Sequence, residues 1–152
     1  DASGARIGER WRIGPTVVLE VTGGRIPCRT FQGHLGEKGW VRRFTQKAAT
    51  GAYLRVIEPG EIRAGDAIEI VHVPDHEVTA RMEFQATTTH RELLPRLLEA
   101  EDALHSETRA AVHKYLAKYG GERSSEEARG EGRREGACGR RTRRLRVTNL
   151  LP

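Results

Sequence analysis

Long apolar runs are missing from this chain. No stretch approaches the ~18 consecutive apolar residues that a membrane-spanning helix requires. The first residues, Asp1-Ala2-Ser3-Gly4, carry no basic and then apolar leader and no initiator Met, which reads as a processed, trimmed or partial chain. Cysteine is scarce: Cys28 and Cys138 are the only two. Two widely separated cysteines make no disulfide framework, so a reducing, cytoplasmic setting is the expectation. Aromatic residues are 5% of the chain, and none lies in residues 120–152. No internal repeat is evident.

What is present is charge, with 26 Lys and Arg against 21 Asp and Glu, for a net +5. That balance points toward nucleic acid or an acidic surface. The charge is unevenly spread, however. Residues 120–152 hold nine Arg and five Glu, leaving 17 basic and 16 acidic groups in residues 1–119. The basic character therefore belongs to the C-terminal segment. Its run Gly139-Arg140-Arg141-Thr142-Arg143-Arg144-Leu145-Arg146 suits phosphate backbones. With no aromatic side chain there to stack on bases, nucleic acid is not the expected partner. A segment so poor in large apolar side chains cannot offset its ordering entropy by burial, so residues 120–152 read as disordered.

The first two-thirds of the chain read as β. Val17, Leu19 and Val21 alternate with Val18 and Glu20, the pattern of a half-buried strand. Arg10–Ile13, Arg25–Phe31, Ala52–Ile57 and Ile68–His72 read as further strands, separated by turn signals such as Gly14-Pro15, Pro59-Gly60 and Gly65-Asp66. Val78, Ala80, Met82 and Phe84 give the clearest alternation of all. Trp40, Val41, Phe44 and Ala48 recur at helical spacing, with Gly51 as a terminator. Thr89-His90-Arg91-Glu92 fits a capping box before Leu93, Leu94, Leu97 and Leu98, and Pro95 should kink or restart that helix. Ser106 caps a last helix that buries Ala111, Val112, Tyr115, Leu116 and Tyr119 and ends at Gly120-Gly121. The expected division is a β-barrel domain over 1–85, a helical extension over 86–119 and a disordered tail over 120–152. The expected class is mainly β.

Chemistry concentrates around Cys28. Pro27 cannot donate to a strand ladder, and Arg25 and Arg29 flank the thiol. Positive neighbours favour the thiolate, which is both nucleophile and metal ligand. The competing reading is a small buried apolar side chain, because free cysteines are among the most buried residues. His72 and His76 imitate a helical metal pair, but Pro74 between them argues against a helix. His34 reads as a loop residue.

The run Ile7-Gly8-Glu9-Arg10-Trp11-Arg12-Ile13-Gly14, then Val18–Thr22, then Arg25-Ile26-Pro27-Cys28, resembles the MOSC domain, the family named for the C-terminal domain of molybdenum-cofactor sulfurases. Gly51–Val56, Glu58-Pro59-Gly60 and Gly65–Ile68 extend the resemblance, and Thr88–Lys118 is similar to the three-helix extension of one bacterial branch. The resemblance implies a MOSC-type, pyruvate-kinase-like β-barrel and a pyranopterin molybdenum cofactor. It puts the molybdenum-ligating, catalytic thiolate on Cys28. Soft sulfur ligation suits such a metal. Arg25 and Arg29 are the expected holders of the cofactor phosphate, and Thr30 and Tyr53 the expected hydrogen-bond donors. Arg42 and Arg43 read rather as a solvated face.

That branch is associated with reducing N-hydroxylated compounds and detoxifying heterocycles. A small-molecule substrate and an electron-donor protein or domain follow as expected partners, and no membrane. Sulfur carriage as a cysteine persulfide is the alternative, as is an inactive fragment. The family's N-terminal portion, with its His-containing glycine motif and Phe-Gly-Glu-Asn-like motif, has no counterpart in this sequence. The barrel is therefore expected to be partial. Gly23-Gly24 also stands where a stiffer, Pro-containing turn is expected.

Overall fold

A computed structural model describes residues 1–130, with residues 121–130 described by their backbone alone. After a single turn over Ala2–Gly4, the elements are β1 (Arg10–Ile13), β2 (Val17–Gly23), α1 (Arg29–Leu35), α2 (Trp40–Lys47), β3 (Tyr53–Glu58), β4 (Ile68–His72) and α3 (Ala80–Thr88). A 3-10 stretch, Arg91–Ala100, and α4 (Ser106–Gly130) complete them. The class is mixed α/β rather than mainly β.

The strands form one four-stranded sheet in the order β3-β2-β1-β4. All three pairings are antiparallel, with Trp11 opposite Leu19 and Ile70, and Leu54 opposite Val21. The sheet is open, and β3 and β4 are its edges. Within the described residues the expected barrel is therefore represented by this sheet. Every residue of central β2 is buried except the half-buried Thr22, whereas β4 is exposed along its whole length. Val56, Ile57, Ile68 and Ile70 stand in water on the edges, an unusual position for β-branched apolar side chains in a soluble sheet.

The core lies between the sheet and the helices. Ile7, Val21, Val78, Leu97, Leu104 and Val112 are fully or almost fully buried there. Ile7 N–H donates to the Val78 carbonyl at 2.9 Å and Ala80 N–H to the Ala5 carbonyl at 3.0 Å. These bonds lay the chain start against the entry to α3.

Several expected elements differ. Residues 80–88 are helical, not extended. Thr79 caps the helix by accepting the Met82 N–H at 3.1 Å, and the buried positions Ala80, Glu83, Phe84 and Ala86 follow the helical period. Ala, Arg, Met, Glu and Gln favour a helix, and the alternation of Val78, Ala80, Met82 and Phe84 fits both periods over so short a run. The stretch 25–31 is extended only to Cys28, because α1 starts at Arg29. Helix α2 ends at Ala48, which takes φ 50°, three residues before Gly51. The capping box at Thr89 does not form. His90 precedes the 3-10 stretch instead, and Pro95, which lacks an N–H, sits inside it. Helix α4 passes through Gly120-Gly121, its expected end, to Gly130, within the segment read as disordered. The rest of that reading, Cys138 and the basic run included, lies outside the described residues.

Gly24 explains why no stiff, bulky turn occupies this point. A Cβ on it would lie 2.7 Å from Thr50 Oγ1, 2.9 Å from the Ala80 carbonyl oxygen and 3.2 Å from Phe84 Cβ. The α3 backbone cannot withdraw cheaply, so Gly24→Ala is expected to destabilise the fold by about 2 kcal/mol, as overpacked sites do. Urea unfolding checks this, and an unchanged midpoint would contradict the close approach.

Candidate functional site

Cys28 is an exposed thiol. It occupies the capping position of α1, and its Sγ accepts the Phe31 N–H at 3.4 Å. The reading of Cys28 as a buried apolar residue is thereby overturned. The buried residue of the segment is its neighbour Pro27.

Arg25 reaches across the segment. Its Nη1 donates to the Tyr53 hydroxyl at 3.2 Å, and its guanidinium carbon lies 5.2 Å from the centre of the Phe31 ring. Thr22 Oγ1 donates to the Tyr53 carbonyl at 3.3 Å, which ties the end of β2 to the start of β3. The structure thus brings Arg25 and Tyr53 together, and Arg25 also meets the ring of Phe31, whose N–H bonds the Cys28 sulfur. Arg29 and Thr30 follow Cys28 in the first turn of α1 and are exposed, and among the described residues neither side chain has a hydrogen-bond partner. Arg43 pairs with Glu37, in the turn before α2, and lies 5.8 Å from the Trp40 ring centre. His72 ends β4 and His76 follows in the loop, where its Nδ1 accepts the Val78 N–H at 3.2 Å. The pair is not on a helix.

A cleft of about 770 Å³ opens between the sheet and the N-terminal end of α4. Thr22, Gly24 and Ile26 line one side, Tyr53 and Arg55 another, and Glu83, His105 and Arg109 the rest. That volume is in the ~300–1,000 Å³ range of small-molecule and cofactor sites. A second cleft of about 600 Å³ runs past Arg10, Glu20, His72, His76 and Glu101. Arg55 lines both. Only the first borders the residues leading to Cys28.

Two buried carboxylates stand at these clefts, and strand or helix periodicity did not single out either. Glu20 projects from central β2, where Arg10 bonds it at 2.9 Å and Arg55 bonds its other oxygen. Burial acts to raise its pKa, but the hydrogen bonds and charges of Arg55 and Arg10 outweigh it and hold the carboxyl below the ordinary 4.5. Glu83, on α3, is 5% exposed. Its Oε2 accepts the Gly24 N–H at 3.0 Å and its Oε1 accepts the Thr108 hydroxyl at 2.9 Å. Burial pushes the Glu83 carboxyl above 4.5, against the opposing pull of those two donors and of nearby His105. The other charged or titratable groups on this cleft are Tyr53, Arg55, Glu107 and Arg109. The helical spacing of Ala80, Glu83 and Phe84 was the signal that could have found Glu83, and it was hidden by the reading of a strand.

The described residues thus form an open antiparallel sheet packed with helices, with a free cysteine at a helix start. Residues 1–69 match the MOSC domain. Three solved structures are similar in fold. YiiM from Geobacillus stearothermophilus is 18% identical with a TM-score of 0.68, and the match covers 76% of this chain and 60% of that one. YiiM from Escherichia coli is 23% identical with a TM-score of 0.66, covering 77% and 58%. A protein described only as hypothetical is 23% identical with a TM-score of 0.66, covering 77% and 55%. The chain therefore spans between 55% and 60% of the length of these structures. No curated protein matches the chain. No helix among the described residues is long and apolar enough to cross a membrane.

The two carboxylates have opposite linkage to pH. Glu20, with its lowered pKa, stabilises the fold above pH 4.5, and that contribution is lost as pH falls through its folded value. Glu83, with its raised pKa, contributes fully below 4.5, and the contribution is lost as pH rises through its folded value. Glu20→Gln is therefore expected to weaken the fold at neutral pH and to match the parent in acid. Glu83→Gln is expected to gain on the parent as pH rises. Urea unfolding from about pH 3 to about pH 8 checks both, and parallel curves for parent and variants would contradict the assignments.

Proposed function

We propose that the chain is the cofactor-binding part of a molybdenum-cofactor oxidoreductase that removes oxygen from N-hydroxylated compounds or related heterocycles. The observation that carries this reading is the exposed Cys28 thiol at the start of α1, three residues after Arg25 and inside the stretch that matches the MOSC domain. The donor set suits a pyranopterin molybdenum cofactor: a soft sulfur for the metal, two exposed guanidiniums for a phosphate, and hydroxyls for the pterin edge.

In this reading Cys28 supplies the sulfur ligand, Arg25 and Arg29 bind the phosphate, and Thr30 and Tyr53 donate hydrogen bonds. The bound cofactor would supply the two-electron redox chemistry. Arg25 orients the site, because it touches both Tyr53 on β3 and Phe31 on α1. The cleft lined by Ile26 and Tyr53 has the volume for a small substrate. An electron-donor protein or domain would return the electrons consumed.

The exposure of Cys28 also favours sulfur carriage, since a persulfide must be reachable by its donor and acceptor. Metal content separates the two. Protein from a host that makes the cofactor is expected to carry molybdenum and pterin, and Cys28→Ser to lose most of the metal. Protein without molybdenum but with an added sulfur atom on Cys28, seen by intact-mass spectrometry, would replace this reading with sulfur carriage. Equal molybdenum in parent and Cys28→Ser would refute Cys28 as the ligand.

A further inference from the structure

Cys28 lies on a short segment with few contacts of its own, yet two neighbouring residues of α3 reach both of its ends. Upstream, Glu83 holds the Gly24 N–H at 3.0 Å, four residues before the thiol. Gly23 and Gly24 permit that approach: a Cβ on Gly23 would lie 3.2 Å from Glu83 Oε2, and one on Gly24 would strike Thr50 and the Ala80 carbonyl. Downstream, Phe84 begins a chain of rings. Its centre lies 6.1 Å from Phe44, Phe44 lies 5.9 Å from Trp40, and Trp40 lies 6.0 Å from Phe31. Phe31 is the residue whose N–H bonds the Cys28 sulfur. The free oxygen of Glu83 takes the hydroxyl of Thr108, in the first turns of α4.

We propose that Glu83 is a positioning residue for Cys28, which fixes the segment 24–31 and links it to the N-terminal end of α4. The proposal rests on the reading of Cys28 as the functional thiol. Glu83 does not touch that thiol and acts through the Gly24 backbone. A buried carboxylate with two donors to satisfy is costly to house, and a helix seeking only to pack would place an apolar side chain at this site. The arrangement has a consequence for the cleft. Gly24, Glu83 and Thr108 all line it, so a molecule bound there presses on the same three groups that set the thiol.

The test uses the full chain carrying Cys138→Ser, which leaves Cys28 as its one thiol. Amide hydrogen exchange and alkylation by iodoacetamide are followed in Glu83→Ala, Glu83→Gln and Thr108→Val. Glu83→Ala orphans the Gly24 N–H, so exchange at Gly24 and Phe31, the amides of residues 24–31 that have acceptors, is expected to rise about tenfold, with β1 unchanged. Cys28 alkylation is expected to fall severalfold, because the sulfur loses the Phe31 N–H that favours its thiolate. Glu83→Gln keeps an acceptor oxygen and is expected to restore most of both. Thr108→Val is expected to accelerate the same segment by a smaller factor.

Unchanged exchange over 24–31 in Glu83→Ala would overturn the proposal, as would equal acceleration throughout the sheet. If Glu83→Ala does not fold, unchanged exchange over 24–31 in Thr108→Val overturns it. None of these readouts involves molybdenum. A failure of the cofactor reading therefore shows in the metal content of Cys28→Ser, and a failure of this proposal in the exchange rates.

Discussion

The carboxylate of Glu83 sets much of what surrounds it. A carboxylate withdrawn from water needs donors, and the backbone of Gly24 and the hydroxyl of Thr108 are the two it has. The first can approach only because residues 23 and 24 lack side chains. The second requires α4 to begin where it does, after a turn that places Thr108 against α3. One buried polar group on a nine-residue helix thereby fixes the end of β2 and the start of α4. Neighbouring Phe84, fully buried, fixes the aromatic chain that runs to α1.

The sheet supplies the complementary constraint. Its central strand β2 is buried on both faces and carries Glu20, held by Arg10 from one neighbouring strand and Arg55 from the other. Both guanidiniums are about half exposed, which screens their attraction. Their value is geometric, since they staple three strands at one level. Arg55 also lines both clefts, so the staple forms part of both walls. The edges differ: β3 and β4 expose branched apolar side chains that the described elements leave uncovered.

Much of this was legible in the sequence, and the failures have physical origins. The alternation of Val17, Leu19 and Val21 identified β2, and the helical recurrence of Trp40, Val41 and Phe44 identified α2. Cys28, Arg25 and Tyr53 were singled out from residue chemistry and family resemblance, and the fold does bring the last two together. Short segments were misread wherever two periods coincide. Val78, Ala80, Met82 and Phe84 satisfy period two, while Ala80, Glu83 and Phe84 satisfy the helix, and propensity decided for the helix. That error hid Glu83 on the polar side of an imagined strand. The start of α1 was missed because cysteine is not a common capping residue, and only the folded backbone shows Sγ accepting the Phe31 N–H. Tertiary pairs such as Glu83 with Gly24, 59 residues apart, leave no local signal at all.

The central claim is that the Cys28 sulfur is a metal ligand, and X-ray absorption at the molybdenum edge tests it most directly. Spectra of the parent protein and of Cys28→Ser, each isolated from a host that makes the cofactor, are to be compared. The account predicts a cysteine sulfur bound to molybdenum in the parent that is absent from the spectrum of Cys28→Ser. Identical sulfur coordination in the two proteins, or a parent that retains no molybdenum, would contradict it.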